Sequence, residues 1–224
     1  MPTHAVIKPA APAAIFASCL RQLRAVPLVP RSNPFDDARW TFEPKYDGVR
    51  TFLYTKEQCC RIQVSQELER QARDLERRVA EVLDGREAIL DGELVSLDRQ
   101  GKAVLHQLLR CEGYTAYAAY DILWLDGIDL RDQPLSERKR LLAELLPQDT
   151  GPLYKTLSID EHGRALFGAI RRLDLPGIVG KCQDDPYHPS TLWYEIRNPG
   201  RTSRADRPGE ILRQRRHWSP SRDQ

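Results

Sequence analysis

Apolar positions follow two different periods along the chain, and this predicts short strands with helices inserted between them. Alternating or β-branched runs predict strands at 49–55, 61–65, 88–97, 117–125, 177–182 and 192–197. A helix over about 66–83 is predicted by apolar residues that recur every three or four positions: Leu68, Ala72, Leu75, Val79 and Val82. Asp126-Gly127 lies between two apolar segments and predicts a tight hairpin turn.

Two further helices are predicted from capping patterns. Ser136 is expected to cap a helix that runs through Leu146, with Leu135 as a hydrophobic staple. Asp160 is expected to cap another helix that ends near residue 173. Antiparallel strands with flanking helices give an α+β fold as the predicted class.

Composition divides the chain into three segments. Six prolines within residues 1–34 leave room for little more than a short helix at 13–23, so residues 1–26 are predicted to form a flexible N-terminal segment. Residues 27–198 carry the periodic pattern and are predicted to form one domain. Residues 199–224 are rich in Arg, Pro, Ser and Gly without apolar periodicity, which predicts a loosely ordered tail.

Charge and cysteine content narrow the function classes. The chain has 224 residues, of which 41% are hydrophobic and 29% charged, as in globular proteins. The net charge is only +2, but basic ends flank an acidic middle, a layout that suits contact with a polyanion. The five cysteines form no Cys-x-x-Cys pair, and no run approaches the about 18 apolar residues of a membrane span. A cytoplasmic protein without a membrane partner is therefore expected.

Carboxylates interrupt two of the apolar strands. Asp91 and Glu93 flank Gly92 within the strand at 88–97, and Asp121 lies inside the strand at 117–125. An unpaired carboxylate is costly to bury, so each needs a polar partner or exposure to water. A β-bulge or turn that exposes Asp91 is the simpler alternative for that segment taken alone.

Two lysines adjoin glycine-containing segments. Lys45 precedes the Asp47-Gly48 turn and a strand that carries Arg50, and Lys181 ends the segment Gly-Ile-Val-Gly-Lys. A solvated surface lysine is the default interpretation. A lysine becomes a nucleophile, however, where nearby cations or burial favour its neutral form.

The order of these motifs resembles the ATP-dependent DNA ligases and, more broadly, the covalent nucleotidyltransferases. The chain reads Lys-Tyr-Asp-Gly-Val-Arg, then Leu-Asp-Gly-Glu-Leu, Tyr-Asp-Ile-Leu, Gly-Ile-Val-Gly-Lys and Trp-Tyr-Glu-Ile-Arg. Each motif is weak alone, but five in this order are specific. The similarity covers most of the chain and implies an ATP-grasp-like adenylation domain.

The resemblance also implies a reaction and a set of site residues. Lys45 would attack the α-phosphate of ATP, with Mg²⁺, and the AMP would pass to a nicked or broken DNA end in repair or recombination. The implied ATP-binding residues are Glu43 at the adenine edge, Glu93 at the ribose, Tyr120 on the adenine face, Arg50 and Lys181 at the phosphates, and Arg197, which keeps a positive charge of the fifth motif. No metal ligand is assigned.

Four departures from the family pattern suggest a weakened enzyme. Pro176 replaces a glutamate that helps to place the metal, and Glu195 replaces a lysine. The segment Ser65-Gln-Glu-Leu68 lacks the usual arginine, and no OB-fold sequence follows, so a partner protein is expected to supply the DNA clamp. Only 44 residues precede Lys45, which favours ATP over NAD as the donor.

Three functions therefore stay open. The first is a ligase-type adenylation domain that forms a lysine–AMP intermediate. The second is an inactive relative that binds nucleotide or DNA as an accessory module. The third is an RNA ligase or capping-type nucleotidyltransferase that uses the same lysine chemistry.

Overall fold

The structure is a computed structural model that describes residues 23–57, 59–147 and 151–201. Its strands are β1 (Leu28–Pro30), β2 (Asp37–Pro44), β3 (Val49–Lys56), β4 (Cys59–Ile62), β5 (Ala88–Leu97), β6 (Tyr114–Leu125), β7 (Ile128–Asp129), β8 (Leu153–Lys155), β9 (Ile159–Glu161), β10 (Gly177–Cys182) and β11 (Trp193–Arg197). Its helices are α1 (Glu69–Leu83), which follows a 3₁₀ turn at Gln66–Leu68, α2 (Leu105–Arg110), α3 (Leu135–Leu145) and α4 (Gly163–Arg172).

The strands form two sheets. One has five strands in the order β1-β11-β10-β2-β9, and the other has the order β4-β3-β5-β6-β7, with β8 also paired to β6. Only the pairs β1–β11 and β6–β8 are parallel among the described strands. The predicted α+β class with mainly antiparallel sheets is confirmed.

Three apolar layers hold the fold together. Helix α1 packs its buried face against the six-stranded sheet, and α4 covers Phe42, Ile178 and Ile196 on one face of the five-stranded sheet. A third cluster joins residues of both sheets, including Ile89, Trp124, Val179 and Trp193. Because side chains alternate along a strand, the face of β10 and β11 opposite α4 points toward the other sheet.

The two capping predictions for the later helices are wrong. Helix α3 begins at Leu135, and Ser136 makes no capping bond, because the first N–H groups donate instead to the carbonyls of Asp185 and Gln183. Asp160 lies in β9, where it pairs with Thr41 of β2, so α4 begins only at Gly163. Tertiary backbone contacts thus replace the local cap of α3, whereas at α4 the distant side chain of Asp36 accepts a hydrogen bond from the amide of Arg164 at 2.9 Å.

The ends of the predicted domain lie close to the limits of the described residues. Val26 is fully buried and Leu23 nearly so, and both pack in the cluster between the sheets. The helix predicted at 13–23 and the tail beyond residue 201 lie outside the described residues, apart from Leu23 itself. Within the described ranges, no helix is both long and apolar enough to cross a membrane.

Candidate active site

A cavity of about 250 Å³ collects side chains from both sheets. Six of the seven predicted site residues line it: Glu43, Lys45, Arg50, Glu93, Tyr120 and Lys181. Trp193 and Val179 complete the wall on the side of the five-stranded sheet. Residues that are far apart in the sequence thus meet at one polar site, as the sequence predicts. A second cavity near Tyr114 contains none of these groups.

The turn that carries Lys45 is held by backbone contacts on both sides. The amide of Lys45 donates to the carbonyl of Gly177 at 2.8 Å, and the amide of Gly48 donates to Oε1 of Glu93 at 2.8 Å. A Cβ atom at position 48 would lie 2.5 Å from the carbonyl oxygen of Leu94. Glycine therefore lets this turn approach β5 closely enough to bind Glu93.

Glu195 lies between Lys45, which lines the cavity, and Arg197. Its Oε1 is 3.5 Å from Nζ of Lys45, and its Oε2 accepts a hydrogen bond from Nε of Arg197 at 3.1 Å. Glu195 is almost fully buried, whereas Lys45 and Arg197 are partly exposed. Arg197 does not line the cavity and is connected to Lys45 only through Glu195. The buried carboxylate of Glu195 therefore lies next to the predicted nucleophile.

Two lysines bind Glu43 at another part of the cavity. Nζ of Lys181 lies 2.7 Å from Oε2 of Glu43, and Lys139 of α3 binds Oε1. Burial favours the neutral form of Glu43, but the two ammonium groups outweigh it and lower the pKa of this carboxyl. Burial lowers the pKa of Lys181 to about 8, although Glu43 opposes that shift. Lys181 also lies 3.9 Å from the ring centroid of Trp193.

Glu93 and Tyr120 form a second buried polar pair. The Tyr120 hydroxyl donates to Oε2 of Glu93, while Oε1 of the same carboxylate accepts from Gly48. Burial raises the pKa of Glu93 even though Tyr120 and Lys45 favour its charged form. Burial and the nearby Glu93 also raise the pKa of Tyr120 well above its ordinary value, so its hydroxyl stays a donor.

Arg50 is held by a fully buried carboxylate. Its Nε and Nη2 donate to the two oxygens of Asp91 at 3.1 and 2.6 Å, and its Nη1 donates to the Val26 carbonyl. The Tyr187 hydroxyl donates to the same carboxylate at 2.8 Å. The β-strand register does shift beside Asp91, but the alternative that this shift exposes Asp91 is wrong. The guanidinium stacks over Trp193 at 4.7 Å from the ring centroid.

Asp121, the other carboxylate within a strand, lies outside this cavity. Both of its oxygens bind Arg138 of α3, at 2.8 and 2.9 Å, and both side chains are almost completely buried. The pair fastens α3 to β6. The polar interruption in this strand thus has a structural partner and does not belong to the site.

A comparison with models of known protein families shows which family this chain belongs to. The family model described as "ATP dependent DNA ligase domain" matches residues 29–196. The chain belongs to this family. The ligase-domain assignment agrees with the motif order, and the match covers both sheets and every residue that lines the cavity except Leu28.

Curated relatives of this ligase domain are longer proteins. This chain is 30% identical over 172 residues to the multifunctional non-homologous end joining protein LigD of Pseudomonas aeruginosa, and the match covers 70% of this chain and 20% of that protein. It is 30% identical over 184 residues to the DNA ligase of Methanoculleus marisnigri, covering 74% of this chain and 33% of that protein. The ligase domain therefore spans about a fifth to a third of the length of these relatives.

Solved structures show the same fold. The mycobacterial DNA ligase D complexed with ATP and MES has a TM-score of 0.65 and 24% identity, over 78% of this chain and 60% of that one. The ligase domain of LigD from M. tuberculosis also has a TM-score of 0.65, with 23% identity over 77% and 60% of the two chains. The predicted adenylation-domain fold is confirmed.

Sequence reasoning missed several residues of the site. Trp193 begins the last motif, but sequence reasoning assigned it no role in the cavity wall. Its alternation with Glu195 and Arg197 along β11 places all three on one face. Lys139 and Tyr187 reach Glu43 and Asp91 from positions 96 residues away along the chain. No local pattern marks such partners.

The described carboxylates around the cavity already have partners and are not grouped as metal ligands. Among the described residues, no group of three or more His, Cys, Asp or Glu side chains is arranged to hold a cation. Glu43, Glu93, Asp91 and Glu195 each already bind a cation or hydrogen-bond donors. Pro176 offers no ligand and does not line the cavity.

Proposed function

We propose that this chain is an ATP-dependent adenylation domain whose Lys45 forms a covalent lysine–AMP intermediate for joining DNA strands. The observation that carries this proposal is the convergence of Lys45 and five other predicted residues on one cavity. Their positions range from 43 to 181, so the fold alone brings them together. We retain residues 27–198 as the proposed extent of the folded domain.

The proposed reaction begins with the neutral amine of Lys45. Its Nζ forms a bond to the α-phosphorus of ATP, the bond from that phosphorus to the bridging oxygen breaks, and pyrophosphate leaves while Nζ loses a proton. The AMP then passes to a DNA 5′-phosphate, and a 3′-hydroxyl displaces AMP as the strands join. In-line positioning and charge neutralisation dominate such phosphoryl chemistry.

The base of the nucleotide would occupy the part of the cavity near Glu43 and Lys181. An adenine edge presents a donor amino group beside an acceptor ring nitrogen, and Glu43 and Lys181 offer an acceptor beside a donor. This arrangement supports Glu43 at the adenine edge. The resemblance implied a phosphate contact for Lys181, but its contact with Glu43 supports a place beside the base, and we propose that role for it. Tyr120 and Trp193 supply aromatic faces next to this pair.

The sugar and phosphates would extend toward Glu93 and Lys45. Glu93 is the proposed ribose ligand, and Arg197 with Lys45 supplies positive charge at the phosphate end. Arg50 is held by Asp91 and Val26, so we propose that it forms the wall beneath the nucleotide and adds a smaller electrostatic contribution. Mg²⁺ would arrive with the phosphates of ATP, since the carboxylates of the cavity are already bound.

The proposed substrate is nicked or broken DNA. Relatives named for non-homologous end joining support DNA ends as the substrate class. A partner protein that supplies a DNA clamp belongs to the same proposal.

A second candidate is a nucleotide-binding module that transfers no AMP. The contact between Glu195 and Lys45 favours it, because the carboxylate repels the phosphates that the nucleophile must approach. The two candidates share the cavity and differ only in chemistry.

The deciding experiment is incubation of the full chain with α-³²P-ATP and Mg²⁺, followed by denaturing electrophoresis. Acid-labile label on the wild type and none on Lys45→Ala is expected for the adenylation domain. ATP binding by calorimetry without covalent label would favour the second candidate. A nicked-duplex assay, with and without a separate clamp protein, then tests strand joining.

A further inference from the structure

An arginine outside the predicted site binds the turn that carries Lys45. Nη2 of Arg201 donates to Oδ2 of Asp47 at 3.1 Å. The side chains are only 14% and 15% exposed, so water screens the pair less than an ordinary surface ion pair. Asp47 is two residues beyond Lys45, and Arg201 is 154 residues beyond Asp47.

The segment that presents Arg201 is itself held in place. Asn198 directly follows β11, its amide donates to the carbonyl of Pro176, and its side-chain amide donates to that of Leu175. Its side-chain oxygen accepts from Gly200, and its carbonyl accepts from the amide of Arg201. The backbone at 198–201 is therefore tied to the same 175–177 loop that binds the amide of Lys45.

Besides the packing of Tyr46, three polar contacts described above hold the Lys45 turn. Two are the contacts with Gly177 and Glu93, and the third is the ion pair between Asp47 and Arg201. We propose that Arg201 is a positioning residue that acts through Asp47 to fix the direction of Lys45. This inference rests on the proposed adenylation function for its effect on rate but not for its effect on the turn.

Two physical consequences follow from the pair. Fixing the turn keeps Nζ of Lys45 near the line of attack, and a displacement of about 1 Å at a reacting group can cost about a hundredfold in rate. Arg201 also neutralises Asp47, a carboxylate that would otherwise repel the triphosphate. Nη1 of Arg201 is buried without a hydrogen-bond partner among the described residues, which costs free energy.

The kinetic test compares Arg201→Ala, Arg201→Lys and Asp47→Asn with the wild type in single-turnover formation of lysine–AMP. We expect the maximal rate to fall about 10- to 100-fold in Arg201→Ala, with a smaller rise in the ATP concentration for half-saturation because Asp47 loses its counter-charge. Arg201→Lys should recover part of that loss, because it restores the charge without the planar fork. Arg39→Ala is the matched control, since Arg39 pairs with Asp37 on the surface.

Hydrogen–deuterium exchange without ATP tests the same inference independently of chemistry. Peptides that contain residues 45–48 should exchange faster in Arg201→Ala, and those of α1 should not change. Unchanged exchange and an unchanged maximal rate in that variant would overturn the inference, as would a loss confined to ATP affinity. A wild type that forms no lysine–AMP would refute the proposed function, while the exchange data would still decide the role of Arg201.

Discussion

Glu195 lies 3.5 Å from Nζ of Lys45, and the same carboxylate also binds Arg197. The family pattern has a lysine where Glu195 stands. Relative to the pattern that the resemblance implies, this substitution exchanges a cation for an anion beside the proposed nucleophile, and the new carboxylate also binds Arg197. The effect should fall mainly on the step in which negative charge develops at the reacting phosphorus.

Glu195→Gln should therefore raise the rate of lysine–AMP formation by about tenfold or more, since it removes the charge while keeping the shape. The combined change Glu195→Lys with Pro176→Glu should raise it further. Single-turnover labelling at saturating ATP gives both rates, and Glu161→Gln on the exposed strand β9 is the control. If the wild type forms lysine–AMP as fast as the double variant, Glu195 does not slow the reaction. Nick sealing should still lag in all variants without a clamp.

Lys45→Ala should abolish self-adenylation, and Lys181→Ala should only weaken it. Loss of the proposed nucleophile would remove the reaction path. Loss of Lys181 would remove one proposed contact to the base and leave Glu43 with Lys139 alone. Covalent labelling is the measurement, and Lys102→Ala, which breaks a more exposed ion pair with Asp174, is the control. Equal residual labelling of the two site variants would mean that Lys45 is not the nucleophile.

The pH dependence of stability should carry a signature of Lys181. Burial lowers the pKa of this lysine to about 8 in the folded protein, against an ordinary value of 10.5. Between these two pH values the unfolded chain binds more protons, so the free energy of unfolding should rise with pH, by at most about 1.4 kcal/mol per pH unit. Below pH 8 both states are protonated and the contribution is lost. Urea unfolding from pH 7 to 10.5 measures the free energy of unfolding of the wild type and of Lys181→Met. The difference between the two values should change with pH, because only the wild type carries this lysine. A constant difference would contradict this assignment.

The ion pair between Asp121 and Arg138 should matter for stability and not for nucleotide binding. Asp121→Asn leaves the Arg138 guanidinium buried without its counter-charge, and we expect a loss of about 3–5 kcal/mol in the free energy of unfolding. Arg140→Ala on the same helix removes only exposed ion pairs and should cost less than about 1 kcal/mol. Urea titration of both variants measures stability, and ATP binding is measured at urea concentrations at which the variants stay folded. Together these measurements separate an effect on stability from an effect on nucleotide binding. Equal losses of unfolding free energy in the two variants would show that the buried pair contributes no more to stability than an exposed one.

Polar interruptions of the predicted strands drew attention to Glu93 and Lys181, because such interruptions are a local property of the sequence. Glu43 was implied only by the family resemblance, since no strand was predicted where β2 lies. Glu43 and Lys181 fall on one face of β2 and β10, and the antiparallel register brings Lys181 opposite Thr41, two residues from Glu43. The helix starts at Ser136 and Asp160 were predicted wrongly, since distant carbonyls and a strand pairing outweighed local capping. Lys139 lies on a helix whose own pattern gives no sign of a partner on β2.

The alternation along β11 separates two kinds of evolutionary change. Trp193, which lines the cavity, shares one face of β11 with Glu195 and Arg197, while Ile196 is buried among Phe42 and Ile178 beneath α4. A mutation at position 195 can switch the sign of the charge beside Lys45 without disturbing the packing that holds the strand. A single codon change at position 195 would therefore alter the proposed chemical step and leave the fold around the site unchanged.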